Sequence, residues 1–563
     1  MTKEEARQKI AELCKKYENL SQAGMKGYNE AATKLGFIEP LFRALGWDIE
    51  DKNEVAPEYE ISSKRVDYAF KLHGVSQFYL EAKPLKADLT NPDYIKQAVT
   101  YAYNKGVTWA ILTDFRELRL FNSQSGKGWL SLNCADYVSG FEKLWLLSRE
   151  SLAAGLLDKE ATQNGVLAAH LPVETRLFKQ LREWRGNLFN ELHLYNEKLT
   201  FRQIDEVIQK LFDRLIFIRT CEDRGIEEKR LRSIVNQWKS SGRKGELVEE
   251  LRRIFREFDG YYDSDLFARH LVDDVFILGT TLEAIIEGLY EIPGGLASYD
   301  FSIMDADVLG AVYEQYLGYV AQVEKQRAKE AQTKLDLGIQ TESINLVAKK
   351  ERRKEQGIYY TPKFVTDYIV KETVGRFLAE RSLTEIRNIK ILDPACGSGS
   401  FLIRAFDELL KYYAGQKISK SESDIDAADR ISILTSNIFG VDLDIQAVEI
   451  ARLNLLLRSL AKRDLLPSLA GNIRQGNSLI SGTEEELKGY FGDDWQDKKP
   501  FNWDEQFKDI AAQGGFDVVI GNPPYVRQET LGEEFKTYAQ QNSLLIRALP
   551  TFTCTLLNKL TSC

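Results

Sequence analysis

Ile389-Lys390-Ile391-Leu392-Asp393-Pro394-Ala395-Cys396-Gly397-Ser398-Gly399-Ser400-Phe401 is the stretch that decides the fold. Its first four residues predict a short buried strand, and its glycines predict a tight turn that opens into a helix. A second apolar run, Phe516–Gly521, stops in the same way at Asn522-Pro523-Pro524-Tyr525. In open α/β sheets, ligands bind at the carboxyl ends of strands. The sequence therefore predicts a doubly wound α/β sheet with ligand sites at these two turns.

The first turn suits a nucleotide-like cofactor, because Gly397 and Gly399 let the backbone pass close to a ligand. A nicotinamide-binding fingerprint would need glycine again three positions later, where Leu402 stands. That departure favours S-adenosylmethionine over a dinucleotide. The next strand, Ile438–Val441, ends in Asp442, an acid well placed for ribose hydroxyls.

The two motifs also resemble a known family. Asp393–Phe401 is similar to the cofactor motif of amino-methyltransferases that use S-adenosylmethionine, and Asn522–Tyr525 to their catalytic motif in its adenine form. This motif order is that of the gamma group, which includes the fused restriction-modification enzymes of type IIG and its relatives. The likeness extends through most of residues 1–540, and it implies methylation of adenine in double-stranded DNA. The cofactor-binding residues implied are Tyr359, Tyr360, Thr361, Asp393, Pro394, Ala395, Gly397, Gly399, Phe401, Asp442, Asn477 and Asn522.

The second turn carries groups that suit chemistry on an amine. The exocyclic amine of adenine is a poor nucleophile, because its lone pair is delocalised into the ring. The side-chain oxygen of Asn522 and the carbonyl of Pro523 can accept its two hydrogens and free that lone pair. Tyr525 offers a stacking face for a base that has left the duplex. A surface turn with a packed tyrosine is the alternative interpretation.

A second group of candidate catalytic residues lies near the N-terminus. The predicted strands Arg65–Phe70 and Val75–Lys83 flank a turn at His73-Gly74. Glu81 and Lys83 then share one face of their strand, and the paired strand brings Asp67 alongside. Two carboxylates at this spacing can hold Mg²⁺, while the ammonium of Lys83 orients a water.

That pattern resembles the core of the PD-(D/E)XK nucleases, in which Gln97 matches a position that is often polar. The resemblance implies Asp67, Glu81 and Lys83 as catalytic residues, with Asp67 and Glu81 as the metal ligands. Taken alone, a structural cluster of salt bridges would explain the same three residues.

The chain as a whole reads as four segments. They are a PD-(D/E)XK-like nuclease domain (1–160), an all-helical connector (161–350), a Rossmann-like methyltransferase domain (351–540) and an aberrant tail (541–563). The tail from Ser543 has no acidic residue, and only 38 residues follow Tyr525. We expect a truncated or frameshifted family member with an incomplete sheet, although a separate polypeptide could supply target recognition.

Composition is ordinary for a soluble globular chain, with 44% hydrophobic and 28% charged residues. No stretch is apolar enough to cross a membrane, and six scattered cysteines suit reduced thiols in a cytoplasm. The net charge of −9 does not exclude DNA, because DNA affinity depends on local basic surface. Candidate basic stretches lie at 229–232, 252–256 and 349–354.

Three functions stay open at this point. The first is a bifunctional enzyme that cuts DNA with Mg²⁺ and methylates adenine with S-adenosylmethionine. The second is an adenine methyltransferase of a phage-defence system whose N-terminal domain does not cut. The third is an inactive fragment that binds only the cofactor.

Overall fold

The computed structural model describes residues 2–21, 24–25, 27–61, 64–166, 173–262, 266–292, 297–302, 304, 361, 363–416, 425–460, 465–522 and 533–541. The chain divides into two units. Unit 1 contains Met1–Gln180, Ile218–Leu247 and Leu278–Asp305, and unit 2 contains Leu181–Phe217, Val248–Ile277 and Ala306–Cys563. Residues 541–563, called an aberrant tail above, lie outside the described residues apart from Gln541, and the four segment boundaries stay predictions.

Unit 1 is built on a six-stranded sheet whose spatial order follows the chain. The strands are β1 (Val55–Ile61), β2 (Lys64–Leu72), β3 (Val75–Ala82), β4 (Trp109–Thr113), β5 (Glu117–Asn122) and β6 (Gly128–Asn133). β3 and β4 are parallel, and all other neighbours are antiparallel. A parallel pair needs a long crossover, and the helix Pro92–Asn104 supplies it. The β2–β3 hairpin turns at His73 and Gly74, both with positive φ, as the tight hairpin turns require.

The core of unit 1 is aromatic. Phe70 and Phe78 face each other across β2 and β3 with ring centroids 4.4 Å apart, and Phe42 and Trp47 pack onto them. The surrounding helical segments are Lys3–Glu18, Glu30–Thr33, Lys34–Ile38 (a π turn), Glu39–Ala44, Cys134–Asp136 (3₁₀), Phe141–Trp145, Arg149–Ala153 and Leu156–Gln163. This packing holds the β2–β3 pair, and with it the predicted acidic residues, against the buried core of unit 1.

The described residues between 173 and 288 are mainly helical, as the sequence predicts for the connector. Their bounds are Val173–Tyr195, Phe201–Asp223, Arg230–Ser240, Leu247–Tyr262, Leu271–Asp273 (3₁₀) and Gly279–Gly288. Buried ion pairs lie within one of them: Arg219 contacts Glu222 at 3.1 Å and Asp223 at 2.7 Å, three and four residues further along the same helix. Arg252 and Arg253, candidates for a basic surface, each pair with a glutamate three residues earlier on their own helix. Residues 349–354 lie outside the described residues.

Unit 2 contains a parallel four-stranded sheet in the order β10-β7-β8-β9. Its strands are β7 (Ile391–Asp393), β8 (Ile438–Asp442), β9 (Ile473–Gln475) and β10 (Val518–Val519). The chain runs outward from β7 to β9 and then returns to the other side of β7. The strand order therefore reverses between β7 and β10, which is where ligands bind in doubly wound sheets. The mixed α/β class predicted from the sequence is confirmed.

Helices surround this sheet. They are Lys363–Val370, Lys371–Gly375 (a π turn), Arg376–Ala379, Leu383–Ile386, Ser400–Gln416, Ala427–Asn437, Ile445–Ser459, Glu484–Phe491, Gly492–Lys498 (3₁₀), Trp503–Gln506, Lys508–Ala512 and Glu533–Gln541. In the described residues, no helix combines the length and apolar character needed to cross a bilayer.

Candidate functional sites

The loop after β7 in unit 2 has the close geometry that its glycines predict. Gly397 has φ +52° and Gly399 has φ +87°, both in the left-handed region that favours glycine. A Cβ added at Gly399 would lie 3.2 Å from the Cβ of Ala451, so the loop and the helix Ile445–Ser459 are in tight contact. Gly440 on β8 also has no room for a side chain, because a Cβ added there would lie 2.8 Å from Leu402.

Asp442, at the end of β8, is tied to this loop. Its Oδ2 accepts a hydrogen bond from the Gly397 amide at 2.9 Å, and its Oδ1 accepts one from the Asp444 amide at 2.9 Å. Burial raises the pKa of the Asp442 carboxyl above its ordinary value. An acid thus lies at the mouth of the glycine loop, as predicted.

Asp393, the last residue of β7, is only 1% exposed. Its Oδ1 accepts a hydrogen bond from the Ala395 amide at 3.0 Å. Burial, reinforced by the negative charge of Asp442, raises the pKa of Asp393 to about 8. Phe401, from the same predicted set, is 4% exposed at the start of its helix.

The segment around Asn477 is also tied to the loop. The amide of Gly476 donates to the backbone oxygen of Asp442 at 2.9 Å. The Ser478 hydroxyl donates to the backbone oxygen of Pro394, a contact that sequence reasoning missed. Leu443 and Leu479, the former directly after Asp442 and the latter two positions after Asn477, are 50% and 52% exposed. They offer apolar surface next to the polar groups. For Leu443, the sequence signal was an apolar residue directly after a strand end.

Asn522 follows β10, and its amide Nδ2 donates a hydrogen bond to the hydroxyl of Thr361 at 3.0 Å. Gly521, just before it, has φ +154°, and a Cβ there would lie 2.5 Å from Oδ1 of Asp393. The ends of β7 and β10 are therefore in contact, and Thr361 joins them. Tyr359, Tyr360, Pro523 and Tyr525, also predicted site residues, lie outside the described residues.

The second site, in unit 1, brings together the residues predicted for it. The register of β2 with β3 pairs Tyr68 with Leu80, and this places Asp67, the residue before Tyr68, next to the end of β3. Oδ2 of Asp67 accepts a hydrogen bond from the Ala82 amide at 2.6 Å. Oε1 of Glu81 accepts bonds from the Lys83 ammonium and from the Gln97 amide, each at 2.7 Å.

Glu81, one of the predicted residues of this second site, has a shifted pKa. It is 5% exposed, and its Oε2 has no hydrogen-bond partner among the described residues. Burial, followed by the charge of Asp67, raises the pKa of Glu81 to about 7. Such a shifted carboxyl beside a buried lysine is typical of functional sites.

Two neighbours of Asp67 were missed by sequence reasoning. The ammonium of Lys34 contacts Oδ1 of Asp67 and also Oε1 of Glu30, the latter at 2.9 Å. The sequence signal was an acidic and a basic residue four positions apart, which is ordinary on any helix surface. In the described residues, no group of three or more His, Cys, Asp or Glu side chains is arranged to hold a metal.

Comparisons with known proteins show which protein families this chain resembles. A family model described as "Eco57I restriction-modification methylase" matches residues 436–547, and one described as "RMKL-like, methyltransferase domain" matches residues 370–463. The chain is 28% identical over 561 residues to the type II restriction enzyme and methyltransferase RM.Eco57I of Escherichia coli. That match covers 90% of this chain and 51% of RM.Eco57I.

Two further similarities cover different shares of the chain. The adenine-specific methyltransferase PglX of Streptomyces coelicolor is 29% identical over 188 residues, which are 31% of this chain and 15% of PglX. The solved type IIG restriction endonuclease BpuSI is 16% identical, with a TM-score of 0.32, over 91% of this chain and 47% of that structure.

The chain spans about half the length of the curated relatives that it matches over most of its own length. Its similarity to fused restriction enzymes and methyltransferases confirms the type IIG-like resemblance stated from the motifs.

Proposed function

We propose that this chain transfers methyl groups from S-adenosylmethionine to the exocyclic amine of adenine in double-stranded DNA, and that unit 1 cleaves DNA with Mg²⁺. The observation that carries the first half is the contact between the ends of β7 and β10. There Gly521 lies against Asp393, and Asn522 follows at once. Asn522, proposed to act on the base, and the glycine loop after β7, proposed to bind the cofactor, thus both lie where the strand order reverses.

The residues around the glycine loop fit S-adenosylmethionine. Asp442 has acceptor oxygens for the ribose hydroxyls, and Gly397 and Gly399 have no side chains to block a ligand at those two positions of the loop. Leu443 and Leu479 offer exposed apolar surface for a flat adenine ring. When bound, the cofactor supplies a methyl group made electrophilic by its sulfonium.

The chain's own groups would prepare the amine for attack. Oδ1 of Asn522 and the carbonyl oxygen of Pro523 accept the two amine hydrogens, which draws the nitrogen toward a tetrahedral geometry. Asn522 is uncharged, so it adds no negative charge next to the cofactor. Tyr525 stacks on the displaced base, a contact worth roughly 1–3 kcal/mol. The similarity to PglX, an adenine-specific methyltransferase by name, supports adenine as the target.

Unit 1 supports the nuclease half through the Asp67–Glu81 pair. Mg²⁺ is commonly held by only one or two carboxylates with several waters. The buried Oε2 of Glu81 has no partner among the described residues, and a carboxylate oxygen of this kind is a suitable ligand for Mg²⁺. Asp67 and Glu81 would hold Mg²⁺, which supplies charge for a phosphodiester and acidifies a bound water. Lys83, fixed by Glu81 at 2.7 Å, would orient that water.

One observation favours a second candidate, in which unit 1 binds DNA or a partner without cutting. The ammonium of Lys34 contacts Asp67, the first of the two proposed metal ligands. A carboxylate with its own lysine partner is also what a purely structural ion-pair cluster would contain.

The test is to incubate the purified chain with tritiated S-adenosylmethionine and unmethylated bacteriophage DNA. Digestion of that DNA to nucleosides then separates N6-methyladenine from other methylated bases. Label in N6-methyladenine supports the methyltransferase, and label confined to another base contradicts the target. Incubating supercoiled plasmid with Mg²⁺ or with EDTA tests the nuclease in parallel.

A further inference from the structure

Lys34 lies between two carboxylates at the edge of the proposed metal site. Its ammonium contacts Oδ1 of Asp67 and, at 2.9 Å, Oε1 of Glu30. Oδ2 of Asp67 is already bonded to the Ala82 amide at 2.6 Å. Both oxygens of Asp67 are therefore engaged, whereas Oε2 of Glu81 has no partner among the described residues.

Packing, rather than chance, sets the position of Lys34. Its side chain is only 17% exposed, and the helix Glu30–Thr33 passes into a π turn that begins at Lys34. Thr33, fully buried just before it, accepts a hydrogen bond from the Leu85 amide through its hydroxyl at 3.2 Å. This hydrogen bond connects the helix to the segment that follows β3. π turns inside helices occur often at functional sites.

The surrounding negative charges explain why the ammonium of Lys34 lies next to Asp67. Asp67, Glu81 and Glu30 are three carboxylates, and Lys83 bonds only to Glu81 among them. Lys34 supplies the second positive charge and holds the outer oxygen of Asp67. A divalent ion shared by Asp67 and Glu81 would compete with Lys34 for the carboxylate of Asp67, and its charge would repel the nearby ammonium.

We propose that Lys34 is a built-in counter-ion that takes the cation position on Asp67 and must move away before a divalent metal binds. Lys34 then sets the metal concentration at which the site fills. This inference rests on the proposed metal-binding role of Asp67 and Glu81, and it concerns binding rather than cleavage.

The experiment is a calorimetric titration of the 563-residue chain with Mn²⁺, using Lys34→Met, Lys34→Arg and the exposed control Lys143→Met. Removing one hydrogen-bonded competing charge should lower the Kd for Mn²⁺ in Lys34→Met about tenfold or more. Lys34→Arg and Lys143→Met should keep the parental Kd. Circular dichroism verifies folding, and Lys34→Gln replaces Lys34→Met if the latter does not fold.

A second readout uses thermal unfolding. In EDTA, Lys34→Met should melt at a lower temperature than the parent, because Asp67 and Glu30 lose their partner. Added Mn²⁺ should then raise its melting temperature by more than it raises the parent's. An unchanged or higher Kd for Mn²⁺ in Lys34→Met would overturn the proposal.

Asp67→Asn separates this inference from the proposed nuclease function. If the parent binds Mn²⁺ and Asp67→Asn does not, the metal site stands, and only the comparison with Lys34→Met decides the role of Lys34. If neither the parent nor Lys34→Met binds Mn²⁺, the metal assignment itself fails, and the counter-ion role fails with it.

Discussion

The side-chain amide of Asn522 donates a hydrogen bond to the hydroxyl of Thr361, with 3.0 Å between Nδ2 and Oγ1. This bond uses the nitrogen side of the amide and leaves Oδ1 as an acceptor. The two residues are 161 positions apart, and Thr361 belongs to the segment that the family resemblance assigns to the cofactor. Thr361 therefore orients the group on which the proposed reaction depends.

We expect Thr361→Val to slow methyl transfer about threefold to tenfold, because one neutral hydrogen bond is worth about 1 kcal/mol. Valine keeps the shape of threonine and removes the acceptor. Thr361→Ser should restore the rate. Single-turnover rates and the Kd for S-adenosylmethionine are measured together. A rise in Kd that matches the loss of rate would assign Thr361 to the cofactor instead.

Asn522→Ala should abolish methyl transfer and leave S-adenosylmethionine binding nearly intact, since Asn522 is proposed to act mainly on the base. Asp442→Ala is the matched comparison, because its carboxylate is proposed to hold the ribose. It should weaken cofactor binding strongly. Equilibrium binding and tritium transfer are measured on both variants. Equal losses of cofactor affinity in the two would contradict the division of roles.

Lys83→Ala should remove Mg²⁺-dependent cleavage and leave adenine methylation unchanged, because the two sites lie in different units. Lys127→Ala, a change at an exposed lysine in the β5–β6 turn, is the control and should cut as the parent does. Plasmid nicking and tritium transfer are followed in the same preparation. Cleavage at the parental rate by Lys83→Ala would show that the nuclease assignment is wrong.

The cofactor-free protein should lose stability as the pH rises toward about 8, because of Asp393. Its pKa is raised from the ordinary 3.8 to about 8, mainly by burial. Between these values the folded chain holds a proton that the unfolded chain releases, so each pH unit removes up to about 1.4 kcal/mol. Above the folded pKa, the stabilisation from the proton is gone.

Denaturant midpoints between pH 5 and 8 measure this loss. In Asp393→Asn, which keeps the acceptor for the Ala395 amide, the decline should be shallower than in the parent. Asp494→Asn, at an exposed position, should decline as the parent does. An equally steep decline in Asp393→Asn would mean that another group causes it.

The two strand ends of the candidate site in unit 2 were predictable, because the residues of each strand and its turn are consecutive in the sequence. An apolar run that stops at glycines, or at an amide and prolines, fixes the strand, the turn and the polar group together. Asp67, Glu81 and Lys83 were predictable because strand alternation sets the face of each side chain.

Other features depend on contacts that no local pattern encodes. β1 was missed because Pro57 and its charged neighbours do not resemble a strand. The sheet has β1 at an edge, which is where proline is tolerated. Lys34 was missed because its pair with Glu30 is ordinary on a helix, and only the fold brings Asp67 to it. The bond from Ser478 to Pro394 joins two loops 84 positions apart.

Gly521 has a consequence for how variants at the second motif are interpreted. Any side chain there would collide with Asp393, a residue of the first motif, 128 positions earlier. A substitution at Gly521 should therefore disturb the proposed cofactor site, although the position of Gly521 in the sequence, next to Asn522, suggests an effect on the target base. In a mutational screen, position 521 should group by phenotype with the loop after β7, and its suppressors should be smaller residues at 393 rather than changes near 525.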